Sequence, residues 1–549
     1  MDVDREAEAL LGRHGRVFVN PPRAVAIEEA IAHREALVSA SGALATWTPP
    51  ESTGRRPQDT YIVDRPQIHD EVDWSSPYCH PVPPETFEMI LADGWAALGA
   101  KPRLFLVERA LGADPACSLT VRLITDHALT ALFADNMLRP IPPGAAGSAF
   151  AGHPFTLLVL PYDKLDPRKY EGRLRTDPAT GRTSDLAVVM DFALRAGIVY
   201  GSAYLGSVKK LLFTVMNFLL PPLGVLPLHG AANVGGDGSS ALFLGLSGTG
   251  KTSLSSDPER ILIGDDEHGW NERGIFNFEW GCYAKMIGID PAKEPDIYGA
   301  VMHEADPLNH GAIVENAFML PNGKFDFSDR RLTENSRASY PLSFIRNADL
   351  TGRAAHPQAM VFLTADANGV LPPLARLEPD QAKLWFLMGY TSKLAGTETG
   401  VAEPGSTFSR FFGAPFMARL PHVYTDLLGE YLDRYGTQVW LVNTGWSGGP
   451  YGTGSRIDIR LTRRMVAAAL AGELERVDFA LDERFHVWVP EACPGVPSEI
   501  LRPEATWPDK GAYARRADLL ARQFAEEFAR SFGELSISPR VAAQCPGRR

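Results

Sequence analysis

The 549-residue sequence lacks the cysteine spacing of a disulfide framework or of a zinc cluster. Its five cysteines, Cys79, Cys117, Cys282, Cys493 and Cys545, are odd in number, widely spaced and without a CxxC pair. Such usage is typical of proteins in a reducing compartment, because thiols remain reduced there. We therefore expect a cytoplasmic protein.

An excess of basic residues and a long uninterrupted apolar run are also lacking. The net charge is -12, whereas nucleic-acid-binding proteins usually carry clustered lysine and arginine. The opening segment MDVDREAEALLGRHGR has no apolar core, so we predict no secretory signal. The most apolar segment, residues 211–228, is interrupted by Asn217 and three prolines, which predicts a buried helix ending at a proline break. We expect neither nucleic acid nor a membrane as a partner.

Low-complexity segments and internal repeats are likewise not visible, and the hydrophobic (45%) and charged (22%) fractions are typical of a folded globular protein. A chain of this length exceeds one compact core, so we predict two lobes, residues 1–222 and 223–549. Helical patterns are predicted over 21–42 and 186–220. Near the C-terminus, Leu520, Phe524, Phe528 and Phe532 recur every four residues and predict an amphipathic helix.

A glycine-rich motif follows a predicted strand near the middle of the chain. Gly245, Gly250, Lys251 and Thr252 satisfy the pattern G-x-x-x-x-G-K-[ST], and the apolar segment ALFLGL leads into them. In such a loop, backbone N–H groups converge on phosphate oxygens, the lysine adds positive charge and the hydroxyl can bind Mg²⁺. The context favours nucleotide binding over a chance glycine-rich turn.

A second predicted strand, RILIG, ends in Asp265 and Asp266, and only 12 residues separate Thr252 from Asp265. In most P-loop enzymes a helix and further strands separate the loop from the acidic metal-binding strand. An Asp-Asp pair after a strand is commonly a solvated turn, but beside a phosphate loop a cation site is favoured. The spacing predicts a nucleotide-binding fold other than the ordinary doubly wound one.

Another candidate ligand is His229, which lies in VLPLHGAANVGG just before the P-loop strand, with Lys209 and Lys210 further upstream. A lone histidine in an apolar segment is usually a core residue. Imidazole and carboxylate also suit Mn²⁺ beside phosphate, and a lysine ligand would need a pKa depressed by burial and by the cation. The spacing leaves both interpretations open.

Seven segments together resemble the ATP-dependent phosphoenolpyruvate carboxykinase family. GLSGTGKTSLS and LIGDDEHGW resemble its phosphate loop and metal strand, and they are joined by GIFNFEWGCYAK, LTENSRASYPL, FLTADANGVLPP, NTGWSGGPYGTGSRI and CPGVPSEIL. The similarity runs from about residue 43 to residue 502. It implies an α/β (mixed α+β) fold of two lobes, with an unusual P-loop nucleotide-binding C-terminal lobe in which the short spacing is normal.

The resemblance implies an N-terminal substrate-binding lobe with basic and phenolic groups. Arg55, in TGRRPQDTYIV, and Arg337, in ENSRASYPL, would bind substrate carboxylates and phosphates. Arginine suits this work because its planar fork donates paired hydrogen bonds. Tyr204 and Lys209, in YLGSVKK, match the substrate-side tyrosine and lysine, and Lys210 also lies on this side.

The resemblance also implies catalytic, metal-binding and nucleotide-binding residues. Catalytic roles fall on Lys209, Lys210, Lys251, Asp265 and Arg337. Metal ligands are implied at Lys210, His229, Asp266 and Thr252. Nucleotide contacts are implied at Gly245, Leu246, Ser247, Gly248, Thr249, Gly250, Lys251, Thr252, Ser253, Lys285, Glu294, Arg337, Arg456, Ile457 and Thr462.

The implied reaction converts oxaloacetate and ATP into phosphoenolpyruvate, ADP and CO2, a gluconeogenic step. The implied cofactors are an enzyme-bound Mn²⁺ and a Mg²⁺ that accompanies ATP, and a monomer is expected. Phosphoryl transfer in such a site depends mainly on positioning and on charge neutralisation. The phosphate loop resembles that of the ATP class rather than that of the GTP class.

Some positions depart from the family pattern. Ser207 replaces glutamate in GSVKK, and Trp280 replaces glycine in the block Glu279-Trp280-Gly281. TGRRPQDT stands for TGRSPKDK, and small residues follow His229 where cysteine and serine are usual. Two alternatives stay open: a P-loop kinase or nucleoside triphosphatase acting on another acceptor, and a non-catalytic nucleotide-binding homologue.

Overall fold

The chain is divided between two compact units in the computed structural model, which describes residues 2–246, 248–302, 310–393 and 405–548. The first unit comprises Met1–Leu223, Phe276–Gly352 and Ala418–Leu420. The second comprises Gly224–Ile275, Arg353–Met417 and Pro421–Arg549. The chain first changes unit after Leu223, close to the predicted boundary, and residues 276–352 then return to the first unit because their strands join one of its sheets.

The strands are short and are numbered in chain order. They are β1 (Val17–Val19), β2 (Leu37–Val38), β3 (Leu44–Thr46), β4 (Thr60–Val63), β5 (His80–Val82), β6 (Leu104–Leu111), β7 (Leu119–Thr125), β8 (Phe155–Leu160), β9 (Ala187–Asp191), β10 (Ala196–Tyr200), β11 (Leu226–Gly235), β12 (Ser240–Gly245), β13 (Arg260–Gly264), β14 (Glu267–Asn271), β15 (Gly274–Asn277), β16 (Gly281–Lys285), β17 (Ile313–Glu315), β18 (Phe318–Met319), β19 (Phe325–Asp326), β20 (Arg337–Pro341), β21 (Arg353–Ala354), β22 (Pro357–Thr364), β23 (Leu374–Leu377), β24 (Tyr390–Lys393), β25 (Gly405–Phe408), β26 (Gln438–Asn443), β27 (Trp446–Ser447), β28 (Ser455–Arg456), β29 (Phe479–Asp482) and β30 (Val487–Pro490).

The α-helices are numbered in the same way. They are α1 (Val3–Arg13), α2 (Arg23–Ala32), α3 (Pro84–Gly99), α4 (Ala128–Met137), α5 (Gly206–Leu219), α6 (Lys251–Ser255), α7 (Pro295–Met302), α8 (Pro379–Met388), α9 (Pro421–Tyr435), α10 (Ile459–Leu470), α11 (Ser498–Leu501), α12 (Pro503–Thr506), α13 (Lys510–Phe532) and α14 (Pro539–Ala542).

Two sheets organise the first unit. An eight-stranded sheet has the order β1-β6-β7-β8-β10-β9-β4-β5, and a five-stranded sheet has the order β16-β20-β17-β3-β2. Helix α3 buries Phe87, Ile90 and Leu91 in the same apolar cluster as Leu158 of β8 and Ile198 of β10. Such burial of one helix face against a sheet is the main favourable term in holding these elements together.

The second unit is built on a mixed sheet of the order β21-β15-β14-β11-β12-β22-β26-β23-β30-β29, with β13 paired to β11. Strands β12, β22 and β26 run parallel, whereas β11 and β23 on either side of them are antiparallel. The parallel strands read as almost continuous apolar runs, SALFLG, PQAMVFLT and QVWLVN, as expected for strands covered on both faces.

The path of the chain after β12 explains the short spacing between the glycine-rich loop and the aspartates. Helix α6 is only five residues long, and β13 follows it almost at once. Both β13 and β14 pair antiparallel with β11, so the chain does not need a long crossover before it reaches the acidic turn. The turn between β13 and β14 therefore lies close in sequence to the loop.

The predicted helix over residues 186–220 is wrong in its first half. Residues 187–191 and 196–200 form the antiparallel strands β9 and β10, both buried along their whole length, and the helix begins only at Gly206. A fully buried strand and a buried helix both appear as apolar runs, so periodicity does not separate them. Arg195, with φ of 52°, lies in the turn that joins the two strands.

The helix predicted over residues 21–42 is confirmed only over Arg23–Ala32, and Leu37–Val38 forms strand β2 instead. Further predicted elements are confirmed. Helix α5 ends at Leu219, just before the proline break, and β13 ends directly before the two aspartates. The aromatic face of helix α13 is buried, as its spacing predicts, and Asp509 caps its N-terminus by accepting a hydrogen bond from Ala512 N. Among the described residues, no helix combines the length and the apolar character needed to cross a membrane.

Candidate functional site

The glycine-rich loop between β12 and α6 depends on three glycines. Gly248 and Gly250 have φ of 86° and 91°, in the left-handed region that side chains disfavour. A Cβ atom on Gly245 would lie 2.5 Å from Thr249 Oγ1 and 2.9 Å from Leu363 Cβ. The sequence pattern thus corresponds to a tight turn in which glycine is needed for conformation and for space.

Two residues that follow strand β26 in the sequence donate hydrogen bonds to backbone carbonyl oxygens of the loop. Thr444 Oγ1 donates to Thr249 O at 2.9 Å, and Arg456 Nη2 donates to Gly248 O at 3.1 Å. Arg456 Nε also donates to Thr444 O at 3.0 Å, so the guanidinium links both partners. The predicted nucleotide residue Arg456 therefore contacts the loop itself, whereas Thr444 was not predicted.

The structure does not describe the side chains of two residues that are predicted to bind the nucleotide or the metal ion. Ser247 lies outside the described residues, and so does the side chain of Thr252. The backbone of Thr252 belongs to helix α6. The roles proposed for these residues remain predictions.

Lys251, His229 and Asp266 meet at one carboxylate oxygen. Lys251 Nζ lies 2.7 Å from Asp266 Oδ1, and His229 Nε2 lies 3.1 Å from the same atom. All three side chains are partly buried, with 13%, 14% and 20% exposure for lysine, histidine and aspartate. An ammonium group and an imidazole thus share one carboxylate. The ammonium group belongs to Lys251, the first residue of helix α6.

Strand pairing brings His229 and Asp266 together although 36 positions separate them in the sequence. In the β11–β14 register His229 is opposite Glu267, and Gly230 N donates to Asp266 O at 2.7 Å. Asp265, the other aspartate of the turn, is partly buried. The register thus explains why a histidine that precedes strand β12 can reach a carboxylate that follows it.

The imidazole of His229 is oriented by a backbone carbonyl that sequence reasoning missed. Nδ1 lies 2.6 Å from Phe412 O, so Nδ1 donates its hydrogen to that carbonyl, and the ring is turned so that Nε2 faces Asp266 Oδ1 at 3.1 Å. Phe411 and Phe412 have φ of 62° and 56°, and such conformations cost of order 1–3 kcal/mol each. Nothing in the local sequence signals this strained turn.

The donor set of His229 and Asp266 fits a divalent metal ion. An imidazole whose Nδ1 is bound to a carbonyl, next to a carboxylate oxygen, is a donor set that suits divalent metal ions, and the carbonyl is the kind of group that orients such a ligand. Lys210 belongs to the first unit and lies near the start of helix α5, where its side chain is partly buried. Its Nζ lies 4.8 Å from the Phe213 ring centroid. Its membership of the metal site remains a proposal.

In the first unit, Arg337 is the first residue of strand β20, and it is paired with a basic residue on one neighbouring strand and an acidic residue on the other. It is opposite Lys285 in β16 and opposite Glu315 in β17. Its guanidinium lies 5.8 Å from the Tyr283 ring centroid. The predicted residues Lys285 and Arg337 are therefore adjacent, and they belong to the first unit although they lie in the C-terminal half of the sequence.

Asn335 connects three of the segments that the sequence assigns to the substrate. Its Nδ2 donates to Thr53 O at 2.9 Å and to Tyr204 Oη at 3.3 Å, and its Oδ1 accepts from Arg337 Nε at 3.0 Å. Tyr204 is buried, whereas Arg55, two residues after Thr53, is exposed. The segment ENSRASYPL contains this asparagine, but its pattern predicts no role for it.

A buried carboxyl group, that of Glu315, contacts the residue that follows Tyr204. Glu315 accepts hydrogen bonds from Tyr283 Oη at 2.5 Å and from Leu205 N at 3.1 Å. Burial raises the pKa of Glu315 to about 7, although the two hydrogen bonds and the charge of Arg337 act in the opposite direction. Burial also raises the pKa of Tyr283, so its hydroxyl stays protonated and donates.

Lys209 forms a buried ion pair. Its Nζ lies 2.9 Å from Glu279 Oε2, and the two side chains are 2% and 3% exposed. The pair fixes the ammonium group of the predicted substrate-side lysine at the first turn of helix α5. Glu279 carried no role in the sequence analysis beyond marking a departure from the family pattern.

The remaining predicted nucleotide residues lie at separate places. Glu294 directly precedes helix α7 in the first unit. In the second unit, Ile457 N donates to Gly445 O at 2.8 Å, and Thr462 is buried in helix α10. Ser253 O accepts from Arg463 Nη2 at 3.3 Å. The structure places these residues, and their nucleotide contacts remain predictions.

Known proteins with similar sequences share one description. Phosphoenolpyruvate carboxykinase (ATP) 1 of Moorella thermoacetica is 46% identical over 528 residues, which cover 95% of this chain and 96% of the relative. Phosphoenolpyruvate carboxykinase (ATP) of Caldanaerobacter subterraneus subsp. tengcongensis is 46% identical over 514 residues, covering 93% and 94%. The protein of the same description from Rhizobium johnstonii is 46% identical over 533 residues, covering 97% and 95%.

The family model agrees with these relatives. Residues 15–499 match the model described as phosphoenolpyruvate carboxykinase. The match includes the glycine-rich loop, the acidic turn, His229 and the substrate-side segments described above. This chain therefore belongs to the ATP-dependent phosphoenolpyruvate carboxykinase family.

Proposed function

We propose that this protein catalyses the ATP-dependent decarboxylation and phosphorylation of oxaloacetate, with phosphoenolpyruvate, ADP and CO2 as products. The proposal makes it a carboxy-lyase with a nucleotide-binding P-loop lobe and a substrate-binding lobe. A gluconeogenic role, a cytoplasmic location and a monomeric state are further expectations of the same proposal. Family membership supports the reaction class, and the side-chain geometry supports the assignment of roles.

The observation that carries the proposal is the convergence of Lys251 and His229 on Asp266 Oδ1 beside the glycine-rich loop. A kinase needs a loop and a lysine for phosphate, but the family chemistry also needs an imidazole and a carboxylate at the same place. The second requirement separates this arrangement from a simple phosphate-binding turn.

The nucleotide side of the proposed site uses the loop and its lysine. Backbone N–H groups of the turn around Gly248 and Gly250 would bind the phosphates of ATP, since small residues allow close approach. In the structure Lys251 is paired with Asp266, so binding a phosphate would exchange one anionic partner for another or share the ammonium between them. Its charge would then neutralise the transferring phosphoryl group.

The substrate side of the proposed site uses arginines that donate paired hydrogen bonds. Arg55 and Arg337 would hold the carboxylates of oxaloacetate, and Asn335 keeps Arg337 and Tyr204 in fixed relation. Lys209 would place a further positive charge near the substrate, held by Glu279. Positioning of this kind lowers the entropic part of the barrier.

The phosphoryl step needs no general base. Loss of CO2 from oxaloacetate leaves an enolate oxygen that already carries negative charge, and this oxygen attacks the γ-phosphorus while the bond to ADP breaks. A divalent ion held by His229, Asp266 and Lys210, proposed to be Mn²⁺, would supply Lewis-acid stabilisation of that charge, and Mg²⁺ would accompany ATP near Thr252.

The test is a product assay with the purified full-length protein. Oxaloacetate, ATP and Mn²⁺ are supplied, and phosphoenolpyruvate is measured. We expect formation of phosphoenolpyruvate to require both nucleotide and metal. Lys251→Ala should lower kcat by about a thousandfold or more, because an ammonium group that neutralises transition-state charge is lost. Lys324→Ala, a change at an exposed lysine of the β18–β19 hairpin, is the matched control.

Other outcomes would assign a different function. Hydrolysis of ATP without phosphoenolpyruvate would contradict the proposal and favour a nucleoside triphosphatase or a kinase for another acceptor. Binding of ATP without any turnover would favour a non-catalytic homologue. Loss of activity in Lys324→Ala equal to that in Lys251→Ala would remove the evidence for a specific role of the loop lysine.

A further inference from the structure

Trp280 occupies a position where the resembling family pattern has glycine, and the structure gives this side chain a specific partner. The Arg139 guanidinium lies 4.9 Å from the centroid of the Trp280 ring. Arg139 is 5% exposed. An arginine placed over an indole face is attracted by the electron-rich ring, and the attraction strengthens when water is excluded.

The same guanidinium binds the backbone of the neighbouring residue. Arg139 Nη1 donates to Glu279 O at 2.6 Å, and Nη2 donates to Leu350 O at 2.9 Å and to Thr351 O at 3.2 Å. Arginine can satisfy several carbonyl oxygens at once because its donors lie in a rigid plane. The carbonyl of Glu279 is thereby fixed to the segment that ends the 276–352 stretch.

The backbone around Glu279 is also fixed on its other sides. Glu279 N donates to Asn277 Oδ1 at 2.9 Å, and Trp280 N donates to Met137 O at 2.9 Å. A Cβ atom on Gly281 would lie 2.2 Å from Asn136 O, which explains why this glycine is retained while the preceding one is replaced. The peptide that carries Glu279 thus has little freedom to move.

The side chain of Glu279 connects this rigid backbone to the predicted catalytic machinery. Its carboxylate forms the buried ion pair with Lys209. A buried ion pair is favourable only when its geometry is well held, because both charges have lost their hydration. Contacts that fix the backbone of Glu279 therefore also fix the position of the Lys209 ammonium group.

We propose that Arg139 and Trp280 are positioning residues that fix Glu279 and, through its carboxylate, set the place of the Lys209 ammonium towards the oxaloacetate side of the site. The proposal deepens the function proposed above and rests on it. In this chain the indole ring of Trp280 helps to hold the Arg139 guanidinium. The glycine of the family pattern has no side chain that could do so.

The test is a double-mutant cycle in the full-length protein with oxaloacetate, ATP and Mn²⁺. We expect Trp280→Gly to lower kcat/KM for oxaloacetate about tenfold and to change KM for ATP less than about twofold. Trp280→Phe keeps an aromatic face for Arg139 and should return kcat/KM to within about threefold of wild type. Trp74→Gly, which removes another partly buried tryptophan of the first unit, should leave the kinetics unchanged.

The second arm of the cycle uses Glu279→Gln. In this background Trp280→Gly should lower kcat/KM less than about twofold further, because its effect passes through the same carboxylate. The melting temperature should fall by the same amount in both backgrounds, since packing of the ring does not depend on that charge. Kinetic effects that simply multiply would overturn the proposal and leave Trp280 a packing residue.

The remaining outcomes are also decisive. A raised KM for ATP with unchanged oxaloacetate kinetics would contradict the proposal and place Trp280 on the nucleotide side. A wild-type protein that makes no phosphoenolpyruvate would contradict the proposed function itself. Wild-type activity together with an additive cycle would contradict only the positioning role.

Discussion

At the carboxyl group of Glu315, burial and hydrogen bonding act in opposite directions. Burial disfavours the charged form, while Tyr283 and Leu205 donate to it and Arg337 attracts it. The pKa is raised from 4.5 to about 7, so burial dominates. The folded protein therefore binds a proton more tightly here than the unfolded chain does.

This shift predicts a pH dependence of stability. Glu315 should contribute its full stabilisation below about pH 4.5, and that contribution should be lost as the pH rises through about 7, a total of about 3 kcal/mol in the free energy of unfolding. In urea titrations, Glu315→Gln should gain stability relative to wild type between pH 5 and about 7.5. Glu272→Gln, at an exposed carboxyl group, is the control. A pH-independent difference would contradict the assignment.

Single residues also show how far sequence reasoning reaches. The pattern G-x-x-x-x-G-K-[ST] and the following aspartates predicted that the loop and the acidic turn lie together, and Lys251 does contact Asp266. The binding of phosphate and of a cation there stays a prediction. Asn335, Glu315 and the carbonyl of Phe412 were not predicted, because asparagine, glutamate and a backbone oxygen acquire their roles only through the partners that the fold supplies.

Among the elements, helix α13 was the most predictable. Its aromatic residues recur on one face and pack against other aromatic side chains of the second unit. The Phe524 ring lies 5.2 Å from Trp385, 5.0 Å from Tyr390 and 5.0 Å from Phe408. A helix anchored in this way contributes strongly to the core of its unit.

Phe524→Ala should therefore destabilise the second unit. We expect a loss of about 3–5 kcal/mol in the free energy of unfolding, because a fully buried ring is replaced by a cavity with aromatic walls. The measurement is chemical unfolding followed by tryptophan fluorescence, to which Trp385 contributes together with the other nine tryptophans of the chain. Arg522→Ala, on the exposed face of the same helix, should change stability by less than about 0.5 kcal/mol. Equal effects of the two changes would refute the packing argument.

Strands β9 and β10 were the least predictable elements. Their residues form apolar runs that continue towards helix α5, and the sequence alone favoured one long helix. The central position of both strands in the eight-stranded sheet removes the alternation of polar and apolar residues that would mark a strand. Pairing with β4 and β8 decided the outcome.

At the scale of the whole molecule, the proposed function predicts coupling between ATP binding and stability. ATP at about one hundred times its Kd should stabilise the folded nucleotide-binding unit by about 2.7 kcal/mol. The melting temperature of wild type should therefore rise with the logarithm of ATP concentration. Adenosine, which lacks phosphates, should have a much smaller effect.

The matched variant for this measurement is Lys251→Ala. Its melting temperature should respond only weakly to ATP, because the ammonium group of the loop is missing while the turn glycines remain. An unchanged response in this variant, or an equal response of wild type to adenosine, would show that the phosphate loop is not the site of binding.

The sequence by itself determined the family, the glycine-rich turn, the acidic turn and the helix α13, because each depends on residue types at fixed short spacing. Tertiary structure decided the rest. It joined residues 276–352 to the first unit, placed His229 beside Asp266 through the β11–β14 register, and gave Lys209 and Trp280 their partners. These outcomes depend on contacts between segments far apart in the chain, and local spacing carries no information about which distant segments pair.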